Sequence, residues 1–199
     1  MLKRLKLNKI LLSIGYLFFL IGVVLIVIKL CLNIQRHYRF DIEVKNNILG
    51  HNVYNFHNIN KSKIIDYIAC LTIPKINLIQ GLVDKNSEFN HVDKNIQIIK
   101  ESNMPDIENG NLILASHSGN SNVSYFKDLD KLIINDSIYI EYNNSQYEYK
   151  IVHYYTVEKT GLVDIIRNEN KNTLTLITCV ENTNKQLVVI SELSKINNL

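Results

Sequence analysis

Residues 138–158 read IYIEYNNSQYEYKIVHYYTVE and carry the clearest secondary-structure signal in the chain. Two runs rich in β-branched and aromatic residues, 138–142 and 146–158, flank the short polar loop Asn143-Asn144-Ser145, which is typical of a β-hairpin. Because side chains alternate across a strand, the second run is expected to place one set of residues on a single face: Tyr147, Tyr149, Ile151, His153, Tyr155 and Val157. This hairpin predicts a domain built mainly from β-structure.

Further short apolar runs lie on both sides of the hairpin. Strands are predicted at 68–73, 76–83, 112–115, 173–179 and 186–193. Two helical interruptions are also predicted, because apolar residues recur every three or four positions at 86–104 and at 123–132. About eight short strands with two short helices fit a closed or nearly closed barrel better than a parallel α/β sheet, which needs a helix after nearly every strand.

The charge of the chain is divided unevenly along its length. The formal net charge of the 199 residues is +3, but residues 1–39 carry seven basic side chains and no acidic one. Residues 40–199 therefore have a net charge of −4. A nucleic-acid-binding domain needs a basic face on its folded part, so this distribution argues against one.

The basic N-terminus precedes an uncharged run, ILLSIGYLFFLIGVVLIVI, at residues 10–28. A helix of this length covers roughly 28 Å, close to the hydrocarbon thickness of a bilayer, whereas a buried core helix would show a polar face. No small-residue cleavage site follows, and the basic residues favour a cytoplasmic N-terminus. The predicted organisation is a cytoplasmic basic segment 1–9, a transmembrane anchor 10–32, an extracytoplasmic spacer 33–66 and a β-domain 67–199.

Only one of the three cysteines lies where a nucleophile is useful. Cys31 falls at the membrane boundary and Cys70 inside an apolar strand, whereas Cys179 ends a strand and precedes a polar loop. A strand end holds a side chain rigidly and leaves it exposed. Position alone still allows Cys179 to be a small packing residue, and a disulfide between Cys70 and Cys179 is a further alternative.

One histidine has a matching position. His117 follows the apolar strand 112–115 and precedes Ser118-Gly119, which places the imidazole at a strand end. His51 and His57 lie in an Asn-rich spacer without accompanying cysteines or carboxylates, so solvated loop histidines are favoured there over a metal site. A Cys–His pair can keep a thiolate beside an imidazolium, and the thiolate is the nucleophile. The sequence contains no G-x-S-x-G, C-x-x-C or H-E-x-x-H motif.

Two short segments resemble known signatures. Residues 114–119 (LASHSG) and 175–179 (TLITC) are similar to the histidine and cysteine motifs of the sortases, the membrane-anchored cysteine transpeptidases of Gram-positive bacteria. The resemblance extends from about residue 68 onward and includes 73–76 and 125–132. It implies a mainly β fold, a sortase-like eight-stranded β-barrel with short helices, preceded by one N-terminal transmembrane helix.

The resemblance also implies a chemistry. Cys179 would be the nucleophile that forms an acyl-thioester with a sorting signal similar to Leu-Pro-x-Thr-Gly, and His117 would donate and accept protons. An amine of a peptidoglycan precursor or of a pilin would then resolve the intermediate. No metal or organic cofactor is implied, although some members bind calcium. The expected location is the cell membrane, with a single pass, a cytoplasmic N-terminus and an extracellular catalytic domain.

One expected residue is missing. Sortases generally carry an arginine at the start of the last strand, where this chain has Gln186 preceded by Lys185. Gln186 is the first candidate to replace the arginine because its amide donates hydrogen bonds from the same position. Lys185 should face the other way, and Arg167 would have to arrive from a loop. The missing arginine keeps a second hypothesis open, a catalytically weak or silent membrane-tethered β-domain that binds peptides or cell-wall material.

Overall fold

A computed structural model describes residues 15, 16, 18–29 and 65–199 of the chain. Residues 15, 16 and 18–29 are helical, and they belong to a different compact unit from residues 65–199. Within these described ranges, no helix combines the length and the apolar character that crossing a membrane requires. The predicted segment 1–9, both ends of the anchor 10–32 and nearly all of the spacer 33–66 lie outside the described residues, as do Cys31, His51 and His57.

Residues 65–199 form a mainly β domain. Two 3-10 helices, Pro74–Ile76 and Leu129–Lys131, are the helical elements of this range. The strands, in chain order, are β1 (Tyr67–Ile73), β2 (Leu78–Val83), β3 (Gln97–Ile98), β4 (Asn111–Ala115), β5 (Ser137–Tyr142), β6 (Ser145–Glu158), β7 (Thr173–Cys179) and β8 (Lys185–Asn198).

The eight strands form one sheet in the order β2-β1-β5-β6-β8-β7-β4-β3. Neighbouring strands are antiparallel except for β4 and β7, which run parallel. The sheet curls into a nearly closed barrel, and a buried side chain links its two end strands. Asn95, just before β3, accepts a hydrogen bond from Gln80 Nε2 of β2 at 2.8 Å and donates one to the Gly81 carbonyl at 2.9 Å.

The predicted hairpin is present between β5 and β6, where Tyr142 pairs with Ser145. Asn143 and Asn144 occupy the turn with φ angles of 48° and 59°. Two successive residues with positive φ characterise the type I′ turn, whose twist matches that of the flanking strands, and asparagine tolerates this conformation well. The Asn-Asn pair therefore fixes the register of the longest strand pairing made by β5.

The prediction that alternate residues of β6 share a single face is wrong beyond the middle of the strand. Tyr147, Tyr149 and Ile151 are buried in the main core, but the register with β8 shifts between Ile151 and His153. One extra residue in a strand turns the following side chains away from the first face. Beyond the shift, Tyr155 and Val157 pack against a second cluster on the other side of the sheet, formed by Ile113, Ile177, Val188 and Ile190.

The predicted helix at 86–104 is also wrong, because this segment consists of turns and the short strand β3. Asn90 explains part of the difference. Its Oδ1 accepts the Ile98 N–H at 2.7 Å, and its Nδ2 donates to the Ile98 carbonyl at 2.9 Å and to the Lys85 carbonyl at 3.1 Å. Asparagine side chains that bond to the main chain in this way compete with helical hydrogen bonding.

The helical turn predicted at 123–132 is present only in part. It consists of turns that end in the 3-10 helix Leu129–Lys131. The three apolar residues that predicted it, Phe126, Leu129 and Leu132, are all buried in the main core. The segment therefore covers one end of the barrel next to the carboxyl ends of β4 and β7.

Candidate active site

The parallel pairing of β4 with β7 determines which side chains meet at this end of the barrel. Ala115 pairs with Ile177, and the register continues beyond the strands. The Ser116 N–H donates to the Ile177 carbonyl at 3.2 Å, and Thr178 Oγ1 donates to the Ser116 carbonyl at 2.8 Å. One further step along each strand leads to His117 and Cys179, so both lie at the same edge of the sheet.

Cys179 is the last residue of β7, and its side chain is partly exposed. Cys70 is buried in β1 with a side chain that is 3% exposed, and the two cysteines are not joined in a disulfide. The alternative of a structural disulfide between them is therefore wrong. Of the two described cysteines, Cys179 is the one whose thiol lies at the edge where His117 also lies.

His117 is held by its main chain and by one side-chain contact. Its carbonyl accepts the Phe126 N–H at 3.1 Å, which ties the residue to the segment that covers the barrel end. Its Nε2 lies 2.8 Å from Asp93 Oδ1. Among the described residues, no hydrogen bond joins His117 to Cys179, although both residues lie at the same edge of the sheet.

Gln186 lies directly across from Cys179, as its partner in the antiparallel pairing of β7 with β8. Directly paired residues of antiparallel strands project from the same face, with Cβ atoms about 5 Å apart. The Oε1 atom of Gln186 is buried and has no hydrogen-bond partner within the described part of the chain. A buried acceptor of this kind is uncommon in folded proteins, and it lies beside the thiol.

The other two candidates for the arginine position lie elsewhere. Lys185 is exposed and pairs with Glu158 of β6, one position from Gln186 and therefore on the opposite face. Arg167 donates from one guanidinium nitrogen to the carbonyls of Asn109, Asn168 and Lys171 at 3.2–3.4 Å. These groups precede β4 and β7, so Arg167 lies at the end of β7 opposite to Cys179.

A groove of about 500 Å³ opens beside Cys179. Its lining combines apolar side chains from the barrel end with four charged ones, and the charged ones are Lys127, Asp128, Asp130 and Glu181. The apolar contributions come from Phe126, Val180 and Leu187. A groove of this size is large enough for several residues of an extended peptide or for a branched amine.

Asp93 is the site residue that the sequence did not reveal. It lies in the turns after β2, where a helix was expected, and nothing in its local sequence distinguishes it from other surface aspartates. The hydrogen bond to His117 lowers the pKa of the Asp93 carboxyl below its ordinary value, and His91 contributes in the same direction. The Asp93 carboxylate is therefore ionised at neutral pH.

The two other histidines that the structure describes are His91 and His153. His153 stacks on Tyr155 with ring centroids 5.3 Å apart, and His91 lies beside Asp93. Across the residues that the structure describes, no group of three or more His, Cys, Asp or Glu side chains is arranged to hold a metal ion.

The comparisons with known proteins all identify the same family. A family model described as a sortase domain matches residues 71–194. Sortase A of Bacillus anthracis is 28% identical over 140 residues, which cover 68% of this chain and 62% of that protein. The chain thus spans less than two thirds of the length of this relative.

Solved structures agree on the fold. Sortase C1 of Streptococcus agalactiae superposes with a TM-score of 0.58 and 27% identity, covering 65% of this chain and 68% of the other. A Clostridium perfringens sortase D5 transpeptidase superposes with a TM-score of 0.56 and 26% identity, covering 65% and 80%. The matched family region contains the end of β1, all of β2 to β7, most of β8, and the residues His117, Cys179 and Gln186.

Proposed function

The chain belongs to the sortase family, and we propose that it is a cysteine transpeptidase that transfers surface proteins from a sorting signal to an amine. The signal is similar to Leu-Pro-x-Thr-Gly. The main support is the parallel register of β4 and β7, which brings His117 and Cys179 to one edge of the barrel from positions about 60 residues apart. A thiol and an imidazole at one exposed edge are the parts that acyl transfer through a thioester needs.

The proposed reaction has two halves. The Cys179 thiolate attacks the scissile carbonyl, the peptide C–N bond breaks, and the His117 imidazolium gives its proton to the departing amine. The acceptor amine, from a peptidoglycan precursor or a pilin, then attacks the thioester carbonyl. It loses a proton to the His117 imidazole, and the thiolate leaves. The thioester retains the acyl group in reactive form between the two halves, so no cofactor is needed.

Gln186 takes the position of the usual arginine in this scheme. Its amide N–H₂ group would donate to the oxyanion that develops on the substrate carbonyl, since it lies across from the attacking sulfur. Its buried Oε1 would accept an N–H of the substrate main chain, which would satisfy an acceptor that has no partner among the described residues. An uncharged donor stabilises an oxyanion less than a guanidinium does, so the proposed enzyme is a slow one.

The loop between β6 and β7 offers apolar side chains for the signal. Ile177 precedes Cys179 by two residues and packs in the second cluster with Val188 and Ile190. Val163 and Ile165, from the loop between β6 and β7, pack against the same cluster. Because Val188 and Ile190 are buried, the leucine and proline of a sorting signal would bind against the partly exposed Val163 and Ile165, with the scissile bond directed toward Cys179.

The proposed location is the cell membrane, with a single pass. The uncharged run at residues 10–28 and the exposed apolar side chains of the helical residues 18–28 support an anchor, with residues 1–9 in the cytoplasm. The spacer 33–66 and the domain 67–199 would then be extracellular. Such an anchor keeps the site near membrane-borne substrates and in contact with lipid.

A catalytically weak or silent peptide-binding domain is the second candidate. Two observations favour it, the glutamine at the arginine position and the lack of a hydrogen bond between Cys179 and His117 among the described residues. In that case the groove beside Cys179 would still bind a peptide, but no thioester would accumulate.

Trapping the acyl-enzyme distinguishes the two candidates. The full chain in detergent micelles is incubated with a panel of sorting-signal peptides, and the adduct on Cys179 is identified by peptide mass spectrometry. Wild type should form a thioester, whereas Cys179→Ala and His117→Ala should form none, and Cys70→Ala serves as the matched cysteine control. Peptide binding without any adduct on the wild type would favour the binding domain, and an unchanged reaction in Cys179→Ala would refute the transpeptidase.

A further inference from the structure

Asp93 is held in place by a network of hydrogen bonds. The Lys94 and Asn95 N–H groups both donate to the His91 carbonyl at 2.8 Å, which closes the turn around Asp93. Two residues later, the buried Asn95 side chain is bonded to Gln80 and Gly81 of β2. The Asp93 carboxylate is itself exposed, but the backbone that carries it is fixed to the barrel.

The contact between Asp93 and His117 also determines the state of the imidazole. An ionised carboxylate can only accept a hydrogen bond, so the proton shared at 2.8 Å belongs to Nε2 of His117. The nitrogen that remains to exchange a proton with a substrate is therefore Nδ1. The other carboxylate oxygen of Asp93 lies 3.4 Å from Nδ1 of His91, so the carboxylate lies between two histidines.

We propose that Asp93 is the positioning residue of His117, and that Cys179, His117 and Asp93 act as a triad. This inference rests on the proposed transpeptidase function and adds a residue to it. Asp93 fixes the tautomer and the orientation of the imidazole and favours the imidazolium that protonates the departing amine. Buried carboxylates do this in other histidine-dependent hydrolases, whereas this one is exposed and acts from a turn.

Other charged groups also lie near the side chains of Cys179 and His117. His91 lies on the turn that carries Asp93. Lys127, Asp128, Asp130 and Glu181 line the groove beside Cys179, and Asp128 is paired with Lys131 at 2.7 Å. None of these groups is in hydrogen-bond contact with His117 within the described residues, so Asp93 is the charge that acts on it directly.

The test uses the full chain and four variants. Asp93→Asn removes the charge, Asp93→Glu restores it on a longer side chain, and His91→Gln tests the neighbouring histidine. Asp106→Asn is the matched control, because it removes one exposed carboxylate at the opposite end of the barrel. Each protein is assayed for kcat and KM of peptide transfer between pH 5 and 10, and for the rate at which iodoacetamide alkylates Cys179 over the same range.

Asp93→Asn should lower kcat about tenfold with KM changed less than twofold, and Asp93→Glu should recover at least half of the loss. The pH above which kcat/KM falls should move down in Asp93→Asn, because the carboxylate that accepts the His117 proton is lost. Cys179 should also be alkylated more slowly near neutral pH in Asp93→Asn, because a less favoured imidazolium supports less thiolate beside it, and this readout does not require transfer activity. If Cys179 of the wild type is alkylated with a pH profile that depends on His117 but no peptide is transferred, the proposed function fails. The alkylation profiles of the Asp93 variants would still test the role of Asp93.

Two results would overturn the proposal. One is an Asp93→Asn protein whose kcat and alkylation profile match those of Asp106→Asn over the whole pH range. The other is a loss that Asp93→Glu does not recover, accompanied by a fall in thermal stability, because this would make the residue structural. Raising the salt concentration should narrow the difference between wild type and Asp93→Asn, since the pair is exposed.

Discussion

Replacing Asn95 with alanine should destabilise the domain by about 2–4 kcal/mol, because Asn95 links the two end strands of the barrel. Its side chain is 4% exposed and makes hydrogen bonds of 2.8 and 2.9 Å to Gln80 and Gly81. The substitution leaves an amide N–H and a main-chain carbonyl without partners. Each buried polar group that loses its partner costs roughly 1–3 kcal/mol. The cost for the Gln80 amide is near the lower value, because this side chain retains some access to water.

Urea unfolding of the full chain measures this effect. The chain has no tryptophan, so the signal is the near-ultraviolet circular dichroism of buried tyrosines such as Tyr149. For a domain of this size the loss corresponds to a fall in Tm of roughly 6–12 °C. Asn170→Ala is the control, since that exposed side chain makes no hydrogen bond within the described residues, and its effect should stay below about 0.5 kcal/mol. An Asn95→Ala protein as stable as this control would refute the account of barrel closure.

Two further predictions concern the site. Gln186→Arg should raise kcat at least tenfold, because one oxyanion donor is typically worth ~2.7–4 kcal/mol and a guanidinium is a charged donor. Lys185→Arg, on the opposite face of the strand, is the control and should leave kcat unchanged. Equal rates in the two variants would contradict the assignment of Gln186 to the oxyanion position. The ordinary pKa of an aspartate is about 3.9, and contact with His117 lowers the pKa of Asp93, so its contribution to stability is present above about pH 4. The difference in Tm between wild type and Asp93→Asn should therefore shrink as the pH falls below 4, whereas a constant difference would show that the carboxylate charge plays no part.

Local patterns in the sequence were sufficient to predict the strands whose ends are set by neighbouring residues. The strands β1, β2, β4, β5, β6 and β7 lie within a few residues of their predicted bounds, because β-branched runs end at Pro74, at Gly110 and at the Asn143-Asn144 turn. The two motif residues, His117 and Cys179, could also be located, since each follows an apolar strand. Their roles as a base and a nucleophile stay a prediction.

The sequence was insufficient where the outcome depends on distant partners. The spacing of apolar residues at 86–104 predicts a helix, but Asn90 and Asn95 form hydrogen bonds that are possible only when β2 and β3 are already in place. Asp93 was missed for the same reason, because it meets His117 across 24 positions of sequence. The change of face along β6 depends on a register shift against β8, which alternation alone does not reveal.

The parallel contact between β4 and β7 has a consequence for when the proposed site can form during biosynthesis. Ala115 and Ile177 are 62 positions apart, and β5 and β6 must be synthesised between them. Pairings between such distant segments form late, because the intervening chain must first be ordered. A nascent chain that extends past His117 but not yet to Cys179 lacks the proposed nucleophile, so it cannot form the proposed thioester. The long separation thus delays formation of the proposed site until β7 has been synthesised.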